Sequence, residues 1–540
     1  MGYRGAVSPR FKMAAATGTV LALLLGGAWV TVEHGQHEAP WMDPLPQWAV
    51  DQGYNDFREA SAGWALPGYA EWRIAQDPPR GDGPLIIDRV HSSKQPHDSH
   101  LDPSDYGYST MFGLGRAFEP IREEGVLLKE EHRALDAGAL AGASAVFINL
   151  PSGDNAPFGR HEVDALDAFV RAGGGLVVVA DHTDCYFHAE QLAPLTRRLG
   201  VELPPTTACD IPPNTLSVKT RAWLHVTDVR EHPVTRQVEA LGVATAAEVL
   251  GPAAWTPLFW TSPGGWSDVW DPYRKPQSAG FTGDLEQHEG EESRPVVMAS
   301  AGSHGQGRVV FLGDQNMLGS ALIGVEDNAR LFGNAIGWAM GLDLPVPVRG
   351  PGSVTTLTGD SSLCTSWVPE GYRTFSVQLM RLGRHHLTPE FCTRVGPVES
   401  ERLVVLPDAM HPELDALVEQ AELSLIMATP ELAERLGLVL GERTEVTGVE
   451  GDLASPFPDH PVWSAETAPL TVRPYGYEGG EVLLSAGGTP LLVRDGDLLV
   501  VLDPELFTQQ RMGGEREKPW TKPELARHHQ VAFQVLNLLF

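Results

Sequence analysis

The chain has 540 residues, too many for one hydrophobic core, so its length predicts two or three domains. Seventy acidic residues against 40 basic ones leave a net charge of −30. That excludes a nucleic-acid binder, which needs a concentrated basic face, and excludes docking of the globular part on anionic lipid.

The first element is Met13–Val32, a run of 20 residues without a charge, long enough to cross the hydrocarbon core. Arg4, Arg10 and Lys12 precede it and Glu33 follows. The positive-inside rule then leaves residues 1–12 in the cytoplasm and exports the rest. No small-x-small cleavage site follows the run, which favours an uncleaved anchor and a single-pass membrane protein. Residues 33–80 read as a tether carrying Trp41, Trp48, Trp64 and Trp72.

A first globular unit is expected over 81–345. Pro84–Ile87 reads as a short strand ending in Asp88 and His91, followed by a polar loop with His97, Asp98, His100 and Asp105. A helix over Thr110–Glu119 and a strand over Ala143–Leu150 come next, and then a helix over His161–Arg171 with apolar Val163, Leu166, Phe169 and Val170. The pivotal stretch is Gly173–His188, GGGLVVVADHTDCYFH. Its run Leu176–Ala180, valine-rich and bounded by glycines, predicts a buried parallel strand. Asp181, His182, Asp184, Cys185 and His188 follow at its carboxyl end, where open α/β sheets keep their ligands. A helix over Glu190–Leu199 completes the alternation expected of a parallel sheet covered on both faces. Farther on, Pro295–Ala301 and Gly307–Gly313 predict a hairpin, with Asp314 after its second strand. Asp327 is expected to cap a helix over Asp327–Met340 that stops at Gly341.

The order of elements then repeats over 346–540. Arg402–Leu406 matches the strand before Leu150, Leu423–Met427 matches the pivotal strand, and Asp497–Asp503 matches the segment ending in Asp314. This predicts a tandem duplication of one α/β unit. Asp314 has a partner in Asp503, whereas Asp181-His182-Thr183-Asp184 faces Ala428-Thr429-Pro430-Glu431. A feature in both copies reads as architecture, and one confined to the first copy reads as a specialised site.

Asp181-His182-Thr183, His232-Pro233, Thr261-Ser262-Pro263 with Trp266, and Gly305–Asp314 with Asp327–Asn334 together resemble the DUF4350-type members of the class I glutamine amidotransferase-like (GATase1-like) superfamily. The resemblance covers roughly 84–341 and, more faintly, the second copy. It implies two tandem flavodoxin-like α/β sandwich units and brings no activity of its own. Amidotransferases of this superfamily hold their cysteine in a Gly-x-Cys-x-Gly turn after the pivotal strand. Asp181-His182 stand there instead, so glutamine hydrolysis is not expected.

Three chemistries fit the residues. Asp88, His91, Asp181, His182 and Asp184 could line one rim, and Asp181, His182 and His91 could hold a divalent metal ion, the one cofactor the sequence suggests. An exported thiol favours disulfides, and the even split of four cysteines favours Cys185–Cys209 and Cys364–Cys392 over a nucleophilic Cys185. Trp255, Trp260, Trp266, Trp270 and Tyr273 could form an aromatic surface for envelope polysaccharide, or could be core. The expectation is an anchored extracytoplasmic binding or scaffold protein of the cell envelope. Its ligand site would draw on Asp88, His91, Asp181, His182, Asp184, His188 and Asp314, and its partner would be a polysaccharide or another envelope protein. The alternative is a metal-dependent hydrolase of glycans or esters.

Overall fold

A computed structural model describes residues 80–92, 113–216, 221–269, 283–344 and, with breaks at 383–387, 394–399, 449–460 and 515–518, the stretch 353–539, isolated positions aside. The expected anchor at 13–32, the tether, the loop residues His97–Asp105, and Trp270 and Tyr273 lie outside the described residues. Among the described residues no helix is long and apolar enough to cross a membrane.

The fold is mixed α/β, with two seven-stranded sheets of identical order. The first comprises β1 (Arg80–Asp88), β2 (Val126–Glu131), β3 (Ala145–Asn149), β4 (Gly175–Val179), β5 (Thr256–Trp260), β6 (Val297–His304) and β7 (Gly307–Leu312). Its order is β2-β1-β3-β4-β7-β6-β5. The strands from β2 to β7 run parallel, and β6 and β5 complete the edge antiparallel. The second comprises β8 (Ser353–Leu357), β9 (Thr388–Thr393), β10 (Arg402–Val405), β11 (Leu423–Met427), β12 (Glu481–Ala486), β13 (Thr489–Asp495) and β14 (Leu498–Val501). Its order, β9-β8-β10-β11-β14-β13-β12, repeats the first strand for strand.

Helices α1 (Gly115–Glu123), α2 (Arg160–Arg171), α3 (His188–Leu199) and α4 (Asn328–Met340) belong to the first sheet. Helices α5 (Arg373–Leu382), α6 (Leu414–Gln420), α7 (Pro430–Arg435) and α8 (Pro523–Asn537) belong to the second. Because side chains alternate across a strand, each sheet feeds two cores. Leu85, Phe147, Val177, Val179 and Leu312 pack with α1 and α4 through Phe118, Leu331 and Phe332. Ile86, Ile148, Val178 and Phe311 pack with α2 and α3 through Leu166 and Leu195. Every residue of β3 and β4 is buried, as a parallel strand covered on both faces requires.

Phe118, Phe147 and Phe332 meet edge to face with centroids 5.2–5.6 Å apart, each pair worth about 0.5–1.5 kcal/mol beyond its buried area. A Cβ on Gly175 would lie 2.3 Å from the Ala339 carbonyl oxygen, so only glycine lets α4 close on the start of β4. Gly341 ends α4 at φ +75° as expected, but Asp327 does not cap it. Its carboxylate instead accepts from the Glu239 amide at 2.8 Å, tying α4 to the preceding segment.

The expected Cys185–Cys209 disulfide is absent, since both are buried free thiols. Cys209 sits in a separate small core with Ala222, Trp266 and Leu285, while Cys185 lies against His188. Cys364, by contrast, is buried and disulfide-bonded, in keeping with the second expected bond, and the Cys392 side chain is outside the described residues. The aromatic surface is also corrected in part. Trp255 and Trp266 are buried, and Trp255 packs on Phe311 with its indole N–H donating to the Ser303 carbonyl.

Candidate functional site

β4 and β7 are parallel neighbours in which Val179 pairs with Leu312. Two residues farther on, the same register sets Asp181 beside Asp314, about one strand spacing of 4.8 Å away. Both carboxylates are buried. Asp314 accepts from the Ala244 amide at 2.6 Å and the Asn316 amide at 2.7 Å. Asp181 Oδ1 faces His182 Nδ1 at 2.7 Å, and Asn316 Nδ2 donates to Asp181 Oδ2 at 3.4 Å. Burial raises the pKa of Asp181 despite the opposing His182 contact. Burial, and then the charge of Asp181, raise that of Asp314 well above the carboxylate range.

His182 is wholly buried, and its Nε2 has no hydrogen-bond partner among the described residues. One donor atom each from Asp181, His182 and Cys185 lie within 4.8 Å of one another. Burial, then the charges of Asp181, Asp184 and Asp314, push the Cys185 thiol well up. A thiol in that setting is not a nucleophile. His188 clamps the loop with both ring nitrogens. Nδ1 contacts the Cys185 carbonyl at 2.8 Å, and Nε2 accepts from the Asp181 amide at 3.3 Å. Burial lowers its pKa to about 4, so it is neutral.

The second unit holds the same register and different chemistry. Met427 pairs with Val501, which sets Thr429 beside Asp503. The structural partner of Asp181 is therefore Thr429, one residue along from the sequence match with Ala428. Thr429 accepts from the Leu432 amide and caps α7. Only residues 428–429 separate β11 from α7, whereas 180–187 separate β4 from α3, so the first unit carries six extra residues here. Those residues hold the cluster, and Thr183, Tyr186 and Phe187 among them take positive φ, as do nearby Leu150 and Thr245. Left-handed backbone in non-glycine residues costs about 1–2 kcal/mol each and persists only where the surroundings enforce it. Asp503 repeats the bonds of Asp314, accepting from the Arg473 and Glu505 amides at 2.7 and 3.1 Å. Unlike Asp314, it also pairs with Arg443 at 3.1 Å. Among the described residues no arginine or lysine pairs with Asp181 or Asp314.

The expected rim does not assemble whole. β1 and β4 are separated by β3, so their ends stand about 10 Å apart. His91 therefore joins Asp88 at 3.0 Å and Glu162 at 3.3 Å, stacked on Phe158, and not the Asp181 group. Asp88 organises its own turn by accepting from the Val90, His91 and Ser92 amides. Its burial raises its pKa, but the His91 and Ser92 contacts outweigh that, and the net shift is downward. Asp184 accepts from the Ala189 amide at 2.8 Å at the start of α3, and burial raises its pKa to about 6. Glu162, Thr245 and Asn316 were not singled out in the sequence. Gly159-x-x-Glu162, where the carboxylate returns to the Gly159 amide at 2.8 Å, is the one that local spacing could have shown.

No family model matches this chain, and neither does any curated protein. Solved structures do show likeness of fold. The mmIFT52 N-terminal domain is 12% identical with a TM-score of 0.34, covering 47% of this chain and 97% of its own. A protein described as ThuA-like from Bacteroides uniformis ATCC 8492 is 14% identical with a TM-score of 0.30, covering 49% and 92%. A protein described as a GMP synthase subunit from Thermoplasma acidophilum is 10% identical with a TM-score of 0.26, covering 48% and 95%.

Proposed function

We propose that this chain is a membrane-anchored, extracytoplasmic binding or scaffold protein of the cell envelope. It consists of two tandem flavodoxin-like units of the DUF4350-type, GATase1-like kind, and its polar ligand site is on the first. The difference between the two sheets carries this reading. One crossing point is a plain helix cap at Thr429, and the other is a buried Asp181–His182–Cys185 cluster on an added connector. The buried Cys185 supports a role other than acyl transfer. The uncharged run 13–32, preceded by Arg4, Arg10 and Lys12, supports the location.

The test is carbonate extraction of membranes, followed by co-sedimentation of the detergent-solubilised full chain with purified envelope polysaccharide and with solubilised envelope proteins. Retention in the membrane pellet and saturable binding are expected. Release by carbonate, or a folded chain that binds neither class, sinks the proposal. The metal-dependent hydrolase is the second reading, favoured by His182, whose Nδ1 faces the Asp181 carboxylate while its Nε2 has no hydrogen-bond partner among the described residues, which is the arrangement of a general base.

A further inference from the structure

We propose that Asp181, His182 and Cys185 form a binding site for one divalent transition-metal ion of the zinc class; this rests on the ligand-site reading above and names the ligand.

The donor set is the first argument. Carboxylate, imidazole and thiol together suit zinc and cobalt(II), and they do not suit calcium or magnesium, which take oxygen alone. The three donor atoms lie within 4.8 Å of one another. Bonds of 2.0–2.3 Å around a tetrahedral ion hold its donors roughly 3.3–3.8 Å apart, so the set is completed by shifts of up to about 1.5 Å, with the 2.7 Å contact of Asp181 with His182 Nδ1 opening.

The second argument is the orphaned ring nitrogen. A fully buried imidazole nitrogen without a partner carries a desolvation cost that a metal bond removes. Asp181 Oδ1 faces Nδ1 at 2.7 Å, so this carboxylate must leave Nδ1 and turn toward Nε2 when the ion binds.

Charge supplies the third. Two buried carboxylates stand at adjacent register positions, and no arginine or lysine among the described residues pairs with either. At the same place in the second unit, Arg443 supplies the missing charge to Asp503. A divalent ion on Asp181, the register neighbour of Asp314, would bring positive charge to the strand pair that corresponds to the one Arg443 serves in the second unit. Binding displaces the Cys185 proton, which leaves to solvent, and the resulting thiolate and the Asp181 carboxylate balance the two positive charges.

The experiment uses the full chain in detergent, stripped with chelator and titrated with Co²⁺ alone and Zn²⁺ alone. One equivalent of cobalt should give a thiolate-to-cobalt charge-transfer band that zinc abolishes. Cys209→Ser should keep the band, and Cys185→Ser should lose it. His182→Gln should weaken zinc binding at least about tenfold. X-ray absorption of the zinc-loaded natural chain should count one sulfur, and this decides the matter even where Cys185→Ser does not fold. No cobalt band in the natural chain, a band that survives Cys185→Ser, or a zinc shell without sulfur overturns the site. The two proposals fail separately. Zinc binding without any envelope partner leaves the site and removes the scaffold reading, and a metal-blind chain that still binds its partner does the reverse.

Discussion

Arg443→Met tests the charge argument in the half of the molecule that is already balanced. Asp503 is 1% exposed and depends on Arg443 at 3.1 Å for its only cationic partner among the described residues. The same guanidinium reaches Glu505 at 3.0 Å, donates to the Arg473 carbonyl at 2.8 Å and lies over the Tyr475 ring at 5.2 Å. Removing one partner of a fully buried pair costs about 3–5 kcal/mol, because it leaves a buried charge unbalanced. Arg443 is 22% exposed, so the lower end, about 3 kcal/mol, is expected. For a unit of this size that is a fall of roughly 6–12 °C in Tm. Asp503→Asn in the same background removes the stranded charge and keeps one acceptor for the two amides, so it should recover about half the loss. Calorimetry and guanidinium denaturation of the full chain, following the less stable transition, read both numbers. A cost below about 1 kcal/mol, or a double variant no better than the single one, refutes the reasoning. It would also remove the ground for asking what balances Asp181 and Asp314.

Two further outcomes are expected. Asp88→Ala strips the acceptor from three consecutive amides and from His91, and should cost about 3 kcal/mol by urea denaturation. Because the folded pKa of Asp88 is lowered, its contribution is present above the unfolded carboxylate value and is lost as pH falls through the folded one. The penalty of the substitution should therefore shrink in acid, and a penalty constant with pH contradicts the assignment. Alkylation of the denatured, unreduced chain followed by peptide mapping should label both Cys185 and Cys209, and a Cys185–Cys209 crosslink would contradict their placement as separate buried free thiols.

The sheet was legible because its strands are short, β-branched and set between glycines or polar turns, as Leu176–Val179 is between Gly175 and Asp181. Most element boundaries fell within a few residues, since apolar periodicity fixes which residues must be buried more tightly than where a helix frays. The α1 helix was displaced, beginning at Gly115 instead of Thr110. The placement of Asp181 and His182 at a carboxyl strand end was likewise readable, because it follows from chain order alone. Spatial adjacency was not. His91 was grouped with Asp181 because both follow strands, but strand order puts β3 between them, and order across a sheet leaves no trace in local spacing. Arg443 reaches Asp503 across 60 residues of sequence and could not be paired with it by any pattern.

The comparison of copies carried the sequence reading farthest, and it also needed correction. Matching strand to strand by residue similarity set Asp181 against Ala428, whereas the ladder sets it against Thr429. The shift changes the chemistry of the comparison. An alanine opposite Asp181 would say only that the second copy lacks a polar group. Thr429 says that the position is where a helix begins, and that its hydroxyl takes the Leu432 amide in the first turn of α7. In the first unit the helix starts six residues later, and Asp184 takes over the capping by accepting from Ala189. That releases Asp181 from capping duty and leaves it beside Asp314, with His182 and Cys185 held over it by the His188 clamp. The added connector is therefore what converts a helix start into a cluster of metal donors, and the strained residues within it are the local cost of holding those donors together.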